Sequence, residues 1–325
     1  MHKARIFLAA RSLTRFTSVL LAITVVFGCA SLRGRDDERT YAVSTARLTQ
    51  LSALTAADVQ KGQFPGAVIL VARNGKAVYS DAIGVQDPKT GTPMRMDSIF
   101  RIASMTKPLV TVGVLTLVED GRVQLTDPVS RHLPELKGLP VGVEKRDASG
   151  KASLELVPTL REMTVQDLLR HTSGLTYGVF GRSLVKDEYN KAELFNPDQS
   201  NGELVAKLSK LPLAFQPGTT WDYSMSTDVL GALIERVSGQ ALDVFLAVRI
   251  TKPLGMADTG FWVDTAQHGR IAEPRVPDVR KPRRFLSGGG GLVSTAGDYL
   301  RFAQMLLNGG KLDGVRILAP KTVAS

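Results

Sequence analysis

The apolar and polar positions divide the chain into a short strand region followed by a longer helical region. Residues 44–60 carry apolar side chains at the spacing of an amphipathic helix. The apolar run at 67–72 leads to Asn74-Gly75, a strong type I′ turn signal, and residues 76–83 follow as a returning strand. The pattern therefore predicts one helix and then a β-hairpin.

The stretch from residue 104 to 119 is apolar on nearly every helical face, which is typical of a buried helix. Gly121 stands where a helix favours a left-handed residue at its C-terminal end. Pro108 fits only in the first turn, because proline has no amide hydrogen to donate further along a helix. The helix is therefore expected to begin near Ser104.

Beyond residue 122 the pattern favours helices broken by proline and glycine. Thr164 with Asp167 forms a variant capping box, and helices are expected over 228–237 and 295–307. Strand signals occur only before residue 102, and two strands alone make a marginal sheet. The class is α+β, with a sheet that this chain is expected to leave incomplete.

The N-terminal residues have the features of an export signal. Four basic residues precede an apolar run at 16–28 that is shorter than the ~20 residues of a membrane span: Lys3, Arg5, Arg11 and Arg15. Val26-Phe27-Gly28-Cys29 resembles a bacterial lipoprotein signal, in which the cysteine is lipidated, although cleavage after Ala30 fits almost as well. We predict a signal peptide at 1–28, a linker at 29–43, and export to the bacterial envelope or periplasm with membrane attachment through Cys29.

Composition excludes several classes of function. The net charge of +10 falls to +6 without the four basic residues of the signal, which is too little to indicate a nucleic-acid partner. Cys29 is the only cysteine, so an intrachain disulfide and a thiolate metal cluster are excluded. His132, His171 and His268 are scattered without ligand spacing, and neither a metal nor another cofactor is expected.

Ser104 and Lys107 are the candidate chemical pair. Residues three apart share one face of a helix, so the lysine can take the serine proton when its amine is neutral. The same spacing occurs at Ser183 and Lys186, where charged neighbours and the lack of a long apolar helix predict a solvated loop. Five basic residues near 280 are likewise predicted to form a solvated loop: Arg275, Arg280, Lys281, Arg283 and Arg284.

Five segments, in order, resemble the class C β-lactamase-like serine hydrolases. They are Ile99–Pro108, Leu168–Leu175, Pro217-Gly218 with Tyr223-Ser224, Pro253–Met256 and Gly289–Phe302. The resemblance implies the serine β-lactamase/penicillin-binding-type fold, an antiparallel sheet flanked by helices plus an all-helical domain. It places a first part of the α/β domain at 44–121, a mainly helical domain at 122–286 and an incomplete return to the α/β domain at 287–325.

The resemblance also implies Tyr223 as a third catalytic residue, which carries the proton to the leaving group. The family's motif is Tyr-x-Asn, whereas this chain has Met225 in place of the asparagine that contacts amide substrates. The family's third motif, a Lys/His/Trp-x-Gly strand, is not found, because Lys321-Thr322-Val323 lacks the glycine and follows Pro320 in a helix-like stretch. The chain is therefore expected to be a truncated family member.

These features predict a serine hydrolase that forms an acyl-enzyme on Ser104, with Lys107 and Tyr223 as its other catalytic residues. The leading hypothesis is a carboxylesterase that acts on a small ester or amide. Two alternatives stay open: a D,D-peptidase or β-lactamase acting on peptidoglycan-like substrates, and a truncated homologue that binds such ligands without turnover.

Overall fold

A computed structural model describes residues 44–273 and 277–325. The predicted signal peptide, the linker and Cys29 lie outside these residues. Among the described helices, none combines the length and the apolar character that crossing a membrane requires.

The first described elements are a helix and an antiparallel sheet. They are α1 (Thr45–Gln60), β1 (Gly66–Arg73), β2 (Lys76–Asp87) and β3 (Thr92–Pro93), with the strands in the order β1-β2-β3. Asn74 and Gly75 join β1 to β2 with φ angles of 50° and 74°, as a type I′ turn requires. The predicted helix and hairpin are confirmed.

The buried helix predicted after Ser104 is also confirmed. A short strand β4 (Phe100–Arg101) leads into a 3₁₀ turn at Ala103–Met105, and α2 (Thr106–Glu119) continues from it. Leu109, Val110, Val114 and Leu117 are fully buried in α2. Gly121 follows the helix with a φ of 69°, so the left-handed residue lies where the pattern predicts it.

Residues 122–286 are mainly helical, with one strand pair that the pattern missed. The elements are β5 (Val141–Arg146), β6 (Ala152–Val157), α3 (Val165–Leu169), α4 (Leu184–Lys191), α5 (Asn201–Leu208), α6 (Ser226–Ser238) and α7 (Leu242–Leu246). β5 and β6 form a hairpin whose residues are mostly at least partly exposed. β5 ends in the charged run Glu144-Lys145-Arg146, whereas residues 152–156 of β6 alternate apolar and polar side chains. The domain limits drawn from the sequence stay a prediction.

Helix α6 organises this region, since it packs against α2, α3, α5 and α7. Every residue of α6 from Ser226 to Ile234 is buried, and Gly239 ends the helix with a φ of 73°. Thr164 caps α3 through the predicted capping box with Asp167. The capping signal read from the sequence at Thr164 is therefore one that the fold uses.

The prediction of a solvated loop at Ser183-Lys186 is wrong. Ser183 is the N-cap of α4, and its hydroxyl accepts a hydrogen bond from the Lys186 N–H at 3.1 Å. The Lys186 side chain is only 13% exposed, and its Nζ lies 3.6 Å from an Asp222 carboxylate oxygen. Lys186 is buried by other parts of the protein, such as the segment that carries Asp222, and the local sequence gives no sign of this burial.

Strands return after residue 290, contrary to the prediction that strand signals occur only before residue 102. The last elements are β7 (Val293–Ser294), α8 (Ala296–Leu307), β8 (Lys311–Leu312), β9 (Val315–Arg316) and α9 (Pro320–Val323). β7 pairs antiparallel with β4, so residues 287–292 come to lie beside the turn that carries Ser104. Lys321-Thr322-Val323 is helical, as expected.

Candidate active site

Ser104 lies in the 3₁₀ turn that leads into α2. The Lys107 Nζ lies 3.3 Å from the Ser104 Oγ, so the one-turn spacing brings the two groups into contact as predicted. The preceding residue, Ala103, has a φ of 45°, a left-handed conformation that is strained for a residue other than glycine. Strain of this kind persists only where the surrounding structure holds it, and here it presents Ser104 to solvent.

Tyr223 meets Ser104 from a segment far away in the sequence. Its phenol O–H donates to the Ser104 Oγ at 2.6 Å. The ring of His171 lies 5.0 Å from the Tyr223 ring, and the Ser224 N–H donates to the His171 Nδ1 at 3.3 Å. The motif at Leu168–Leu175 therefore contributes to the site by holding Tyr223 in place.

His171 supports this site as a neutral side chain. Burial, with a further contribution from the nearby Lys107 charge, lowers the pKa of His171 to about 4. Its Nδ1 accepts from the Ser224 backbone, which assigns the ring proton to Nε2. His171 therefore makes a structural polar contact beside Tyr223.

Lys107 is held by three groups. Its Nζ donates to the Gly289 carbonyl oxygen at 2.6 Å, in addition to its contact with Ser104. The same Nζ lies 4.6 Å from the centroid of the Tyr223 ring, within the range of a cation–π contact. The structure thus brings together all three residues proposed from the sequence and adds Gly289, which entered the sequence analysis only as the first residue of the segment Gly289–Phe302.

A buried carboxylate lies behind Gly289. Asp228 is 1% exposed and accepts from the Ser287 hydroxyl at 2.5 Å, the Gly289 N–H at 2.9 Å and the Tyr177 phenol at 3.2 Å. Burial raises the pKa of Asp228, and burial together with this carboxylate raises the pKa of Tyr177, which therefore stays protonated and donates. The available sequence signal was one acidic residue within the apolar pattern of α6.

Ser104, Lys107 and Tyr223 line a cavity of about 760 Å³. Its other walls are largely apolar and include Val179, Phe180, Phe195, Phe261, Val279 and Phe285. Asp278 and Arg283 also line it, whereas Lys281 and Arg284 are exposed, as the predicted solvated basic loop near residue 280 requires; Arg275 lies outside the described residues. Phe285, which follows the basic residues, is buried and also lines the cavity, so it holds this loop beside the site. The charged residues around Phe285 conceal this contact in the sequence.

Met225, which replaces the family's asparagine, is fully buried and belongs to the hydrophobic core. It is not among the residues that line the cavity around Ser104. The third position of Tyr223-Ser224-Met225 therefore contributes packing and no polar group to the site.

A helix-borne serine and lysine, a facing tyrosine and an α+β fold define a serine hydrolase of the β-lactamase type. The chain belongs to the beta-lactamase family, whose model matches residues 51–324. Esterase EstB of Burkholderia gladioli is 34% identical over 82% of this chain and 71% of its own length, and protein Rv1367c of Mycobacterium tuberculosis is 37% identical over 81% and 67%. The chain thus spans about two thirds of these curated relatives.

A solved structure supports the same fold. The protein described as "EstCE1, a hydrolase with promiscuous acyltransferase activity" superposes with a TM-score of 0.70 at 25% identity, covering 85% of this chain and 75% of that one. The α+β class and the β-lactamase/penicillin-binding fold expected from the sequence are therefore confirmed, as is the assignment to the serine hydrolases.

Proposed function

We propose that this protein is a carboxylesterase whose nucleophile is Ser104. The observation that carries the proposal is the convergence of the Lys107 Nζ and the Tyr223 phenol on the Ser104 Oγ, at 3.3 and 2.6 Å. A serine hydroxyl is a weak nucleophile until a neighbouring base removes its proton. Within hydrogen-bond reach of this hydroxyl, the lysine and the tyrosine are the groups that can do so.

The Ser104 proton moves among the three residues that are in contact, Ser104, Lys107 and Tyr223. Lys107 and Tyr223 together take the Ser104 proton as the Oγ bonds to the ester carbonyl carbon. When the tetrahedral intermediate collapses, the bond to the alcohol oxygen breaks, and Tyr223 helps to deliver the proton to that oxygen. Water, or a second alcohol, then attacks the acyl-enzyme, its proton passes through Tyr223 and Lys107 to the Ser104 Oγ, and the acyl group leaves as an acid or a new ester. No cofactor takes part in these steps.

The lining of the cavity favours esters with an apolar part over β-lactams. Phe180, Phe195 and Phe285 offer apolar surface, whereas buried Met225 supplies no amide for a β-lactam or peptide carboxamide. The name of the relative EstB, an esterase, supports the same choice. Action as a D,D-peptidase or β-lactamase is the alternative that this lining disfavours.

A fluorophosphonate probe, followed by intact mass, tests the nucleophile in the full chain. We expect labelling of the parent and of Ser183→Ala, and none of Ser104→Ala. Ser183 is a matched control because it also stands three residues before a lysine at a helix start. Labelling that survives in Ser104→Ala contradicts the nucleophile, and a folded parent that takes no label supports a binding protein without turnover.

The substrate class requires a second measurement. Parent and Ser104→Ala are compared on p-nitrophenyl esters of increasing acyl length and on a chromogenic cephalosporin. We expect hydrolysis of the esters to exceed that of the β-lactam by at least two orders of magnitude. A preference for the β-lactam would overturn the esterase assignment while leaving Ser104 as nucleophile.

We also propose that the protein is exported and anchored through Cys29. The support is the basic start, the short apolar run and the cysteine that ends it. Metabolic labelling with a clickable fatty acid in a bacterial host is expected to label the parent and not Cys29→Ala. Release of an unlabelled parent, cleaved after Ala30, would show ordinary secretion instead.

A further inference from the structure

We propose that Asp228 is a positioning residue for Lys107, acting through the backbone of Gly289. This inference rests on the proposed function, since it assigns a role in placing the general base. Among the described residues, the hydrogen-bond partners of Asp228 are Ser287, Gly289 and Tyr177, and Lys107 is not one of them. Its influence on the position of the lysine must therefore pass through those groups.

The first step is the state of the carboxylate. Asp228 is buried in α6, and no described cationic group forms an ion pair with it. Its oxygens instead accept from two hydroxyls and one backbone N–H. Three donors aimed at one carboxyl offset part of the rise in the pKa of Asp228 that burial causes, and they fix the orientation of the carboxyl.

The second step is the close fit of the loop against α6. A Cβ atom on Gly289 would lie 2.4 Å from the Asp228 Oδ2, and one on Gly288 would lie 2.5 Å from the Thr227 carbonyl oxygen. Both distances are too short for any side chain. The glycines therefore allow the backbone to approach the carboxylate closely enough for the Gly289 N–H to donate to it at 2.9 Å.

The third step is the lysine itself. With its N–H fixed by Asp228, the Gly289 residue presents its carbonyl oxygen to the Lys107 Nζ at 2.6 Å. Tyr177 completes the support, since its phenol is held by Asp228 and its ring centroid lies 5.9 Å from the Lys107 Nζ. The Asp228 carboxylate thus holds both the Gly289 backbone and the Tyr177 side chain, which lie next to Lys107.

A charge at this position also acts on the lysine directly. The titratable groups that face Lys107 are the Tyr177 and Tyr223 rings, His171 behind Tyr223, and Asp228 beyond Gly289. The Asp222 carboxylate lies instead 3.6 Å from the Lys186 Nζ. The Lys107 charge opposes the burial that raises the pKa of Asp228, so the two groups interact electrostatically, and Asp228→Asn removes that interaction.

The test compares Asp228→Asn with Asp298→Asn in the full chain. Asp298 is a matched control because it is also a buried helical carboxylate, which accepts from Thr259 and the Asp258 N–H outside the cavity. Two readouts are measured: the pH profile of ester hydrolysis, and the NMR titration of the ¹³C-labelled Lys107 side chain, assigned with Lys107→Met. The second readout does not depend on turnover.

We expect Asp228→Asn to lower kcat by about 10²-fold with little change in KM, because a misplaced base slows the chemical step. We also expect the acid limb of its profile and the Lys107 titration to move to lower pH, whereas Asp298→Asn leaves both where the parent has them. A lowered kcat with both pH readouts unmoved would overturn the proposal, since general structural damage acts in that way.

Ser287→Ala gives a second, milder variant in case Asp228→Asn folds poorly. It removes one donor to the carboxylate and leaves the charge in place. We expect a smaller loss of kcat, below about 10-fold, and no shift of the Lys107 titration to lower pH. If the parent fails to hydrolyse esters, the proposed function fails, while the NMR titration of Asp228→Asn still supports or overturns the role of Asp228.

Discussion

Two helix starts in this protein carry the same Ser-x-x-Lys spacing and use it differently. At α4, the Ser183 hydroxyl accepts from the Lys186 N–H and so serves as an N-cap. At α2, no side chain caps the helix, and the Ser104 hydroxyl instead meets the Lys107 Nζ and the Tyr223 phenol. The hydroxyl of a serine at the N-cap position is engaged by a backbone N–H of the helix. The hydroxyl of Ser104, which lies in the 3₁₀ turn before α2, stays available for other partners.

The two lysines differ in the same way. The Lys186 Nζ donates to the Phe180 carbonyl oxygen and lies near Asp222, which holds it as a structural cation. The Lys107 Nζ rests on a carbonyl oxygen and an aromatic ring, with its serine in reach. The comparison teaches that spacing alone brings the residues to one face, and that the packed neighbours decide which chemistry is available.

The largest expected effect separates the two lysines. Lys107→Met should reduce ester hydrolysis by about 10²–10⁴-fold, the usual contribution of a general base. Lys186→Met should reduce it by less than about 10-fold, and its main effect should be on thermal stability. Steady-state kinetics with melting curves on both variants checks this, and equal losses of activity would remove the distinction between the two sites.

A second prediction uses His171, which lies beside Lys107. The folded pKa of His171 is about 4, below the ordinary value of 6.5, so the fold favours the neutral ring. Its stabilising contribution is present above about pH 6.5 and is lost as the pH falls toward 4, because the unfolded chain then takes up a proton that the folded chain does not.

Urea unfolding between pH 7 and 4 measures this contribution. The free energy of unfolding should fall more steeply in the parent than in His171→Gln, by at most about 1.4 kcal/mol per pH unit for one proton. Lys107→Met should also raise the pKa of His171, since the lysine charge is one of the causes that lower it. Identical pH slopes for the parent and His171→Gln would contradict the assignment.

The smallest expected effect concerns the cap at α4. Ser183→Ala should lower the free energy of unfolding by about 1 kcal/mol, the usual cost of losing an N-cap hydroxyl. Its esterase activity should match that of the parent, because the hydroxyl serves only the helix. Chemical denaturation measures the first effect, and a loss of probe labelling in this variant would mean that the α4 turn supports catalysis.

Local signals in the sequence predicted much of the fold. The Asn74-Gly75 turn, the cap at Thr164 and the glycines after α2 and α6 each lie where the pattern indicated. These features depend on backbone preferences of a few consecutive residues, so no distant contact is needed to read them. The hairpin of β5 and β6 was missed although residues 152–156 alternate apolar and polar side chains, because β5 ends in the charged run Glu144-Lys145-Arg146 and shows no such alternation.

The site was predictable only in part. The one-turn contact between Ser104 and Lys107 follows from helix geometry, and Tyr223 was found through resemblance. Gly289 and Asp228 carried no local sign of their role, because their bonds join residues about 60 and 180 positions apart in the chain. The apolar cavity likewise depends on loops that meet only after folding.

By itself, the sequence determined the first helix, the hairpin of β1 and β2, the buried helix α2 and the shared face of Ser104 and Lys107, since these follow from short-range backbone geometry. Only the tertiary structure decided that the pair Ser104-Lys107, and not Ser183-Lys186, lies beside Tyr223, the Gly289 carbonyl oxygen and an apolar cavity. The physical reason is that these partners come from α6 and from the loop before β7, which reach Ser104 through the packing of α6 on α2 and the pairing of β4 with β7.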